Sequence, residues 1–276
     1  MFRGESKAGK EEKMSGDKVA YNLRPNKFVE RQSFIELLGY WFNGVVPEKV
    51  VYVSFGGPQL EDHKLVHRGL GVKNLVSLEN DAIVYGRQLF NKHFSFIKCL
   101  NISSSDFVAD FDKFSEQYDD KQFVIWLDYA SPKERREQII EYQALLGKLQ
   151  QGDILKLTMN VSPRTLDKRQ IDEDVFEPQT QLLETINQRR VEKLREQLEE
   201  YLPVDIPPYS EIKSNDYVRI FASVIQKASS LGLQSSPRLT VIPLSLFLYQ
   251  DSAHQMLTAT VGVISKTEAE EKRSDL

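Results

Sequence analysis

One cysteine, Cys99 in the apolar run FSFIKCLN, is all the thiol chemistry the chain carries. A lone thiol builds neither a disulfide nor a cysteine-based zinc site within one chain. Histidine is nearly as sparse, with four residues in 276, and only His63 and His67 have i,i+4 spacing, without the glutamate of HExxH. No metal site is expected. Long apolar runs are missing as well: no window approaches the roughly 18 apolar residues that span a bilayer. The opening stretch MFRGESKAGKEEKMSGDK has no apolar signal-peptide core, so the expectation is a cytoplasmic protein without a membrane partner. Positive charge is not in excess, since 36 Lys and Arg against 40 Asp and Glu give a net charge of -4. No global basic field holds a long duplex by counterion release, which disfavours nucleic acid as a partner.

What the chain does have is alternation. Apolar spacing over about 27–42 (Phe34, Ile35, Leu38, Trp41, Phe42) suits a helix ahead of the first strand. VVYVSF (50–55), NLVSLE (74–79), FSFIKCLN (94–101), FVIWLD (123–128) and ILKLTMNV (154–161) then read as strands, with a helix between each pair. Ser131-Pro132-Lys133-Glu134 reads as a capping box opening a helix that Gly152 closes. Continuous apolar strands separated by helices predict a parallel sheet covered on both faces. Over 162–237 the alternation stops. This stretch is helical, and over 162–203 it carries seven basic and ten acidic residues. It reads as an acidic insertion, with a long helix near 179–201 and a second near 216–231. Leu183, Ile186, Val191, Leu194, Leu198 and Tyr201 give the long helix an apolar stripe, expected to serve a mobile lid or an arm that docks a homodimer or protein partner. LTVIPLSLFLYQ and QMLTATVGVIS flank DSAH as a terminal β-hairpin. Residues 1–18 and 266–276 read as disordered tails around a domain spanning 19–265.

Five βα units, an insertion and a carboxyl-terminal antiparallel hairpin resemble the class I S-adenosylmethionine-dependent methyltransferases, an α/β fold with a Rossmann-like, mainly parallel sheet. In that family the first strand runs into a glycine-rich loop, the second ends in an acid, and the fourth ends in a polar motif facing the methyl group. Here those positions read VSFGGP, SLEND and WLDYASP. LRPNKFVERQ followed by YVSFGGPQLED is similar to a group of bacterial proteins classed as O-methyltransferases. The resemblance implies S-adenosylmethionine as cofactor and an acceptor of unknown identity.

The residues can be weighed one by one. Gly56 and Gly57 let the backbone approach a bulky ligand, although Gly-Gly-Pro also makes a plain tight turn, and Phe55 stands where a first glycine would fall. Glu79, 22 positions after Gly57, can accept both ribose hydroxyls or cap the next helix, as Asn80 or Asp81 equally can. Asn101 to Asp106, including Ser104 and Ser105, stand where the family places groups around adenine, and are also routine cap chemistry. Asp128 and Tyr129 end the fourth strand in the crevice where open α/β sheets bind ligands. Asp128 can orient or deprotonate a nucleophile, or hydrogen-bond the cofactor or a loop. The sequence there departs from the Asn/Asp-Pro-Pro-aromatic motif of amino methyltransferases, which points away from a base nitrogen as acceptor. Arg24, Lys27 and Arg31 form a basic cluster that is either a solvated face or a seat for an anionic substrate or phosphate. Two rivals stand beside methyl transfer: a nicotinamide-dependent oxidoreductase, which the absence of GxGxxG disfavours, and a non-catalytic Rossmann-like scaffold.

Overall fold

The structure is a computed structural model that describes residues 24–167, 179–250 and 253–274. The expected amino-terminal tail, part of the insertion and half of the DSAH turn lie outside the described residues. Five strands come first: β1 (Val50–Ser54), β2 (Asn74–Leu78), β3 (Ile97–Leu100), β4 (Gln122–Asp128) and β5 (Ile154–Asn160). They pair in parallel in the order β3-β2-β1-β4-β5. The hairpin, β6 (Leu239–Tyr249) and β7 (Met256–Ser265), adds beyond β5, with β7 antiparallel to both neighbours. This is the mainly parallel sheet with a terminal hairpin that the alternation predicts. The strand order reverses between β1 and β4, so their carboxyl ends diverge and open a crevice there.

Nine helices are described: α1 (Pro25–Trp41), α2 (Glu61–Leu70), α3 (Ala82–Asn91), α4 (Ser104–Ala109), α5 (Phe111–Ser115), α6 (Arg135–Leu146), α7 (Gln179–Leu198), α8 (Ser214–Gly232) and α9 (Lys266–Ser274). Strand alternation sorts the core into two layers. Tyr52 and Trp126 face Phe34 and Leu38 of α1, whereas Val51, Val53, Ile125 and Leu127 face the core shared with α6, α7 and α8. The residues after the hairpin, expected as a tail, form α9.

The helix after β4 differs from the sequence reading at both ends. No capping box forms at Ser131. The helix starts at Arg135, with Glu134 as an N-cap that makes no side-chain cap bond. Arg135 is fully buried, its guanidinium bonded to the Asn160 carbonyl (2.9 Å), Gln197 and Thr165, and this anchorage fixes where the helix starts. The helix ends at Leu146 rather than running on to Gly152, which has φ +97° in the turn before β5. Gly147, at its end, meets Gly232 of α8: a Cβ on Gly232 would lie 2.7 Å from the Gln143 carbonyl oxygen, and one on Gly147 would lie 2.9 Å from that of Gly232. The two helices therefore touch backbone to backbone. Tyr142 and Ser229 add a buried hydroxyl pair at 2.8 Å.

The helical insertion lies before the hairpin as expected, but its stripe is not that of a mobile lid. Val191, Leu194, Leu198 and Tyr201 are buried in the same core as β4 and β5. Asn187 ties the helices together, donating to the Tyr209 and Ile212 carbonyls and accepting from the Tyr217 hydroxyl at 2.9 Å. Only the outer end departs, with Leu183 exposed and Ile186 half-buried. The physical reason is apolar area: a stripe of this size finds its burial against α6, in the core that α6 shares with the sheet. Leu194→Ala is expected to cost about 2–5 kcal/mol of global stability in urea denaturation, the range for deleting a buried leucine side chain. A lid would instead give an unchanged midpoint.

Candidate functional site

The carboxyl ends of β1, β2, β3 and β4 bring together most of the sequence candidates. After β1 the two glycines answer to different constraints. The Gly56 N–H donates to Ser77 Oγ at 3.1 Å, and a Cβ there would meet that oxygen at 2.4 Å, so Gly56 is required by contact with β2. Gly57 has φ +52°, and a Cβ there would meet nothing within 4 Å. It faces open space. Leu60, fully buried, is also left-handed at φ 55°, so this turn carries backbone strain at a non-glycine residue.

Glu79 follows β2 directly, half-buried, with Oε1 accepting from the Asp81 N–H at 2.9 Å. Burial, with Asp81 nearby, raises its carboxyl above the ordinary value. Asp81 caps α3, accepting from the Ile83 and Val84 N–H groups at 2.7 and 2.9 Å. Glu79 is therefore not the helix cap. Asn80 is exposed beside it, and Asn101 Nδ2 donates to the Glu79 carbonyl at 2.8 Å. In the serine cluster it is Ser103 that caps α4, accepting from the Asp106 N–H at 3.0 Å. Ser105 is exposed, and Ser104 sits beside the Tyr129 hydroxyl.

At the end of β4, both Asp128 oxygens lie 2.8 Å from Lys27 Nζ. Lys27 is 3% exposed, with its ammonium 4.5 Å from the Trp126 ring centroid and 5.6 Å from that of Tyr249. It does not stand on a solvated face. Arg24, at the start of the same helix, is half-buried. Burial raises the cost of ionising Asp128, but Lys27, helped by Arg31 and Lys156, outweighs it and holds the carboxyl below the usual range. Tyr129 turns the other way. Its hydroxyl donates to Glu141 of α6, its ring meets Phe55 edge-on at 5.3 Å, and its N–H donates to the Thr158 carbonyl at 2.9 Å. Burial first, then Glu141, pushes its phenol far above the ordinary value.

Sequence reasoning missed what lies under α1. Glu30 pairs with Lys156 of β5, and Arg31 pairs with Asp62 of α2, all four of them buried. Lys156 lies 3.6 Å from the ring centroids of both Phe34 and Trp126. Desolvation lowers its ammonium to about 8, against the pull of Glu30. A signal was present: Lys27, Glu30, Arg31, Phe34 and Leu38 follow the helical period, so three charges share the stripe of two core residues. Lys156 is likewise the only charge in an otherwise uncharged strand.

A model of the family described as "Putative O-methyltransferase" matches residues 19–275. The chain belongs to this family. It is a methyltransferase of the class that draws its methyl group from S-adenosylmethionine. No curated protein matches it. Among solved structures, an O-methyltransferase from Bacillus cereus in complex with S-adenosylhomocysteine has 11% identity and a TM-score of 0.39, with 84% of this chain and 80% of that one covered. The N-methyltransferase NodS from Bradyrhizobium japonicum WM9 has 10% identity and a TM-score of 0.41, covering 88% and 99%. The O-methyltransferase TomG from Streptomyces achromogenes, in complex with S-adenosylmethionine, has 9% identity and a TM-score of 0.43, covering 86% and 80%. The methyltransferase cofactor fits the residues present: a turn that opens on free space at Gly57 stands next to a half-buried carboxylate on the adjoining strand. Among the described residues, no helix is long and apolar enough to cross a membrane.

Lys156 sets a pH dependence whose sign follows from linkage. With a folded value of about 8 against about 10.4 for an unfolded lysine, the unfolded chain binds more protons between those limits, and stability rises with pH there. Urea midpoints of the wild type should therefore gain on those of Lys156→Met between about pH 8 and 10. A difference that stays flat with pH would mean an ordinary lysine.

Proposed function

We propose that the Gly56-Gly57 turn and Glu79 hold the cofactor, and that an oxygen of a small acceptor is presented to it at Asp128. The observation that supports this most is the placement of three unlike groups at adjoining strand ends: an open left-handed glycine, a half-buried carboxylate and a carboxylate clamped by an ammonium. When bound, S-adenosylmethionine supplies a methyl group already activated on a sulfonium, so the protein's share is positioning and exclusion of water. Glu79 accepts the ribose hydroxyls through the oxygen that Asp81 does not take. Asn80, with Ser104 and Ser105 on the neighbouring strand end, completes the nucleoside side of the cradle, and Phe55 walls it on the other.

Asp128 orients the acceptor rather than carrying its proton away. A carboxylate held below its usual range is a weak base, yet it still accepts a hydrogen bond from an acceptor O–H and turns the oxygen lone pair toward the crevice. Tyr129 takes no proton either, because its phenol is pushed far up and its hydrogen is directed at Glu141, so the acceptor's proton passes to water. It positions the wall with Phe55. Arg24, half-buried at the entrance of α1, is placed to meet an anionic acceptor group, while Lys27 acts through Asp128. A protein partner of the insertion would bear on the exposed Leu183 end of α7. A cytoplasmic setting accords with a single free cysteine.

Calorimetry with S-adenosylhomocysteine tests the cofactor assignment. Glu79→Ala is expected to lose about 1.5–3 kcal/mol, roughly tenfold or more in affinity, as a charged hydrogen-bond acceptor is removed. Gly57→Val should abolish binding while circular dichroism stays unchanged, since a β-branched residue resists φ +52°. No heat with the wild type would overturn the assignment. For the acceptor, release of S-adenosylhomocysteine is measured against phenols, carboxylates and amines; turnover of amines alone would replace oxygen as the methylated atom.

A further inference from the structure

The glycine turn is held from beneath by one helix. The Gly56 N–H donates to Ser77 Oγ at 3.1 Å, and the Ser77 hydroxyl donates to Gln88 Oε1 of α3, also at 3.1 Å. One turn further along α3, Asn91 Nδ2 donates to the Pro58 carbonyl at 2.8 Å. A hydroxyl has a single hydrogen, so once Gln88 takes it, a lone pair of Ser77 is left aimed at Gly56. The direction of this relay is thereby set. Ser77 and Gln88 are wholly buried, and Gln88 is the one fully buried residue of α3, whose Ile83 and Phe90 stand exposed. Helix α3 is thus kept against the sheet by an amide whose Nε2 has no partner, and the bond made by its oxygen is what that placement secures. The same helix begins at the Asp81 cap, whose backbone N–H binds Glu79.

We propose that Ser77, Gln88 and Asn91 are positioning residues for the cofactor, acting through Gly56 and Pro58 and touching no ligand themselves. They hold the turn in its cofactor-ready shape before the cofactor arrives, and α3 carries that shape to Glu79, so the two halves of the cradle are set by one rigid piece. None of the three is a candidate by sequence pattern, and the role rests on the cofactor reading above. Binding gains from such preorganisation because less ordering remains to be done on association.

The experiment compares wild type, Gln88→Met, Asn91→Ala and, as a structural control, Leu75→Ala on the same strand as Ser77. S-adenosylhomocysteine affinity is read by calorimetry, and hydrogen exchange of the Gly56 amide is read by NMR without ligand. Gln88→Met and Asn91→Ala should each weaken affinity about fivefold to tenfold, the worth of roughly one hydrogen bond. Gln88→Met should also speed Gly56 exchange. Leu75→Ala should lower the melting temperature yet leave affinity within about twofold and local Gly56 opening unchanged. Wild-type binding that survives both α3 substitutions, with Gly56 protection unaltered, overturns the positioning role alone. No binding by the wild type overturns the cofactor reading and this role with it. If Gln88→Met does not fold, Asn91→Ala, at the half-buried end of the helix, decides by affinity.

Discussion

Three ion pairs buried between α1 and the body of the protein hold the amino-terminal side of the crevice. Helix α1 brings Lys27, Glu30 and Arg31, and the body answers with Asp128, Lys156 and Asp62. The signs interleave, plus-minus-plus against minus-plus-minus. Moving six charges out of water is costly, and attraction offsets that cost only when every partner is in register. A slip of α1 by one turn would set like charges together or strand a charge without a partner. The arrangement therefore specifies position more than it adds stability, and the position it specifies is that of Lys27 over Asp128.

That placement decides what the strand end can do. An isolated, half-buried aspartate would drift toward the neutral form and gain basicity, whereas the clamped one stays ionised and gives up base strength for a fixed orientation. Tyr129, the neighbouring polar group, is withdrawn to Glu141. The crevice thus offers directional hydrogen-bond acceptance at β4 and a carboxylate at β2, with no strong proton acceptor on either side. Methyl transfer to oxygen under these conditions needs an acceptor whose proton passes to water, before binding or as the methyl group arrives, since neither side chain takes it.

The sheet is legible in the sequence because parallel strands buried on both faces are written as unbroken apolar runs; VVYVS and FVIWL are short and rich in β-branched and aromatic residues, which favours strand over buried helix. Helix ends are less legible. Ser131-Pro132-Lys133-Glu134 has cap chemistry, yet the long-range demand of the Arg135 guanidinium for Asn160, Gln197 and Thr165 decides where the helix starts. The acidic composition of 162–203 suggests an appendage, but four apolar residues at helical spacing, Val191, Leu194, Leu198 and Tyr201, outweigh it and take α7 into the core. Of the candidate site, Gly57, Glu79 and Asp128 are legible from strand ends alone. The partner of Asp128 could not, since Lys27 and Arg31 look in sequence like any solvated face and their acids lie far along the chain. Gln88 gives no local signal at all.

The backbone contact between Gly147 and Gly232 joins two helices that each lead back to the end of β4. From Tyr129 the chain of contacts passes through Glu141 into α6, across the glycine pair into α8, and along the backbone into β6. There Tyr249 lies against Lys27, which returns to Asp128, next to the starting point. The links form a closed circuit that starts and ends at neighbouring residues of one strand end. A circuit without a free end shares a displacement among its links, so a side chain added at either glycine would be felt at both Tyr129 and Lys27.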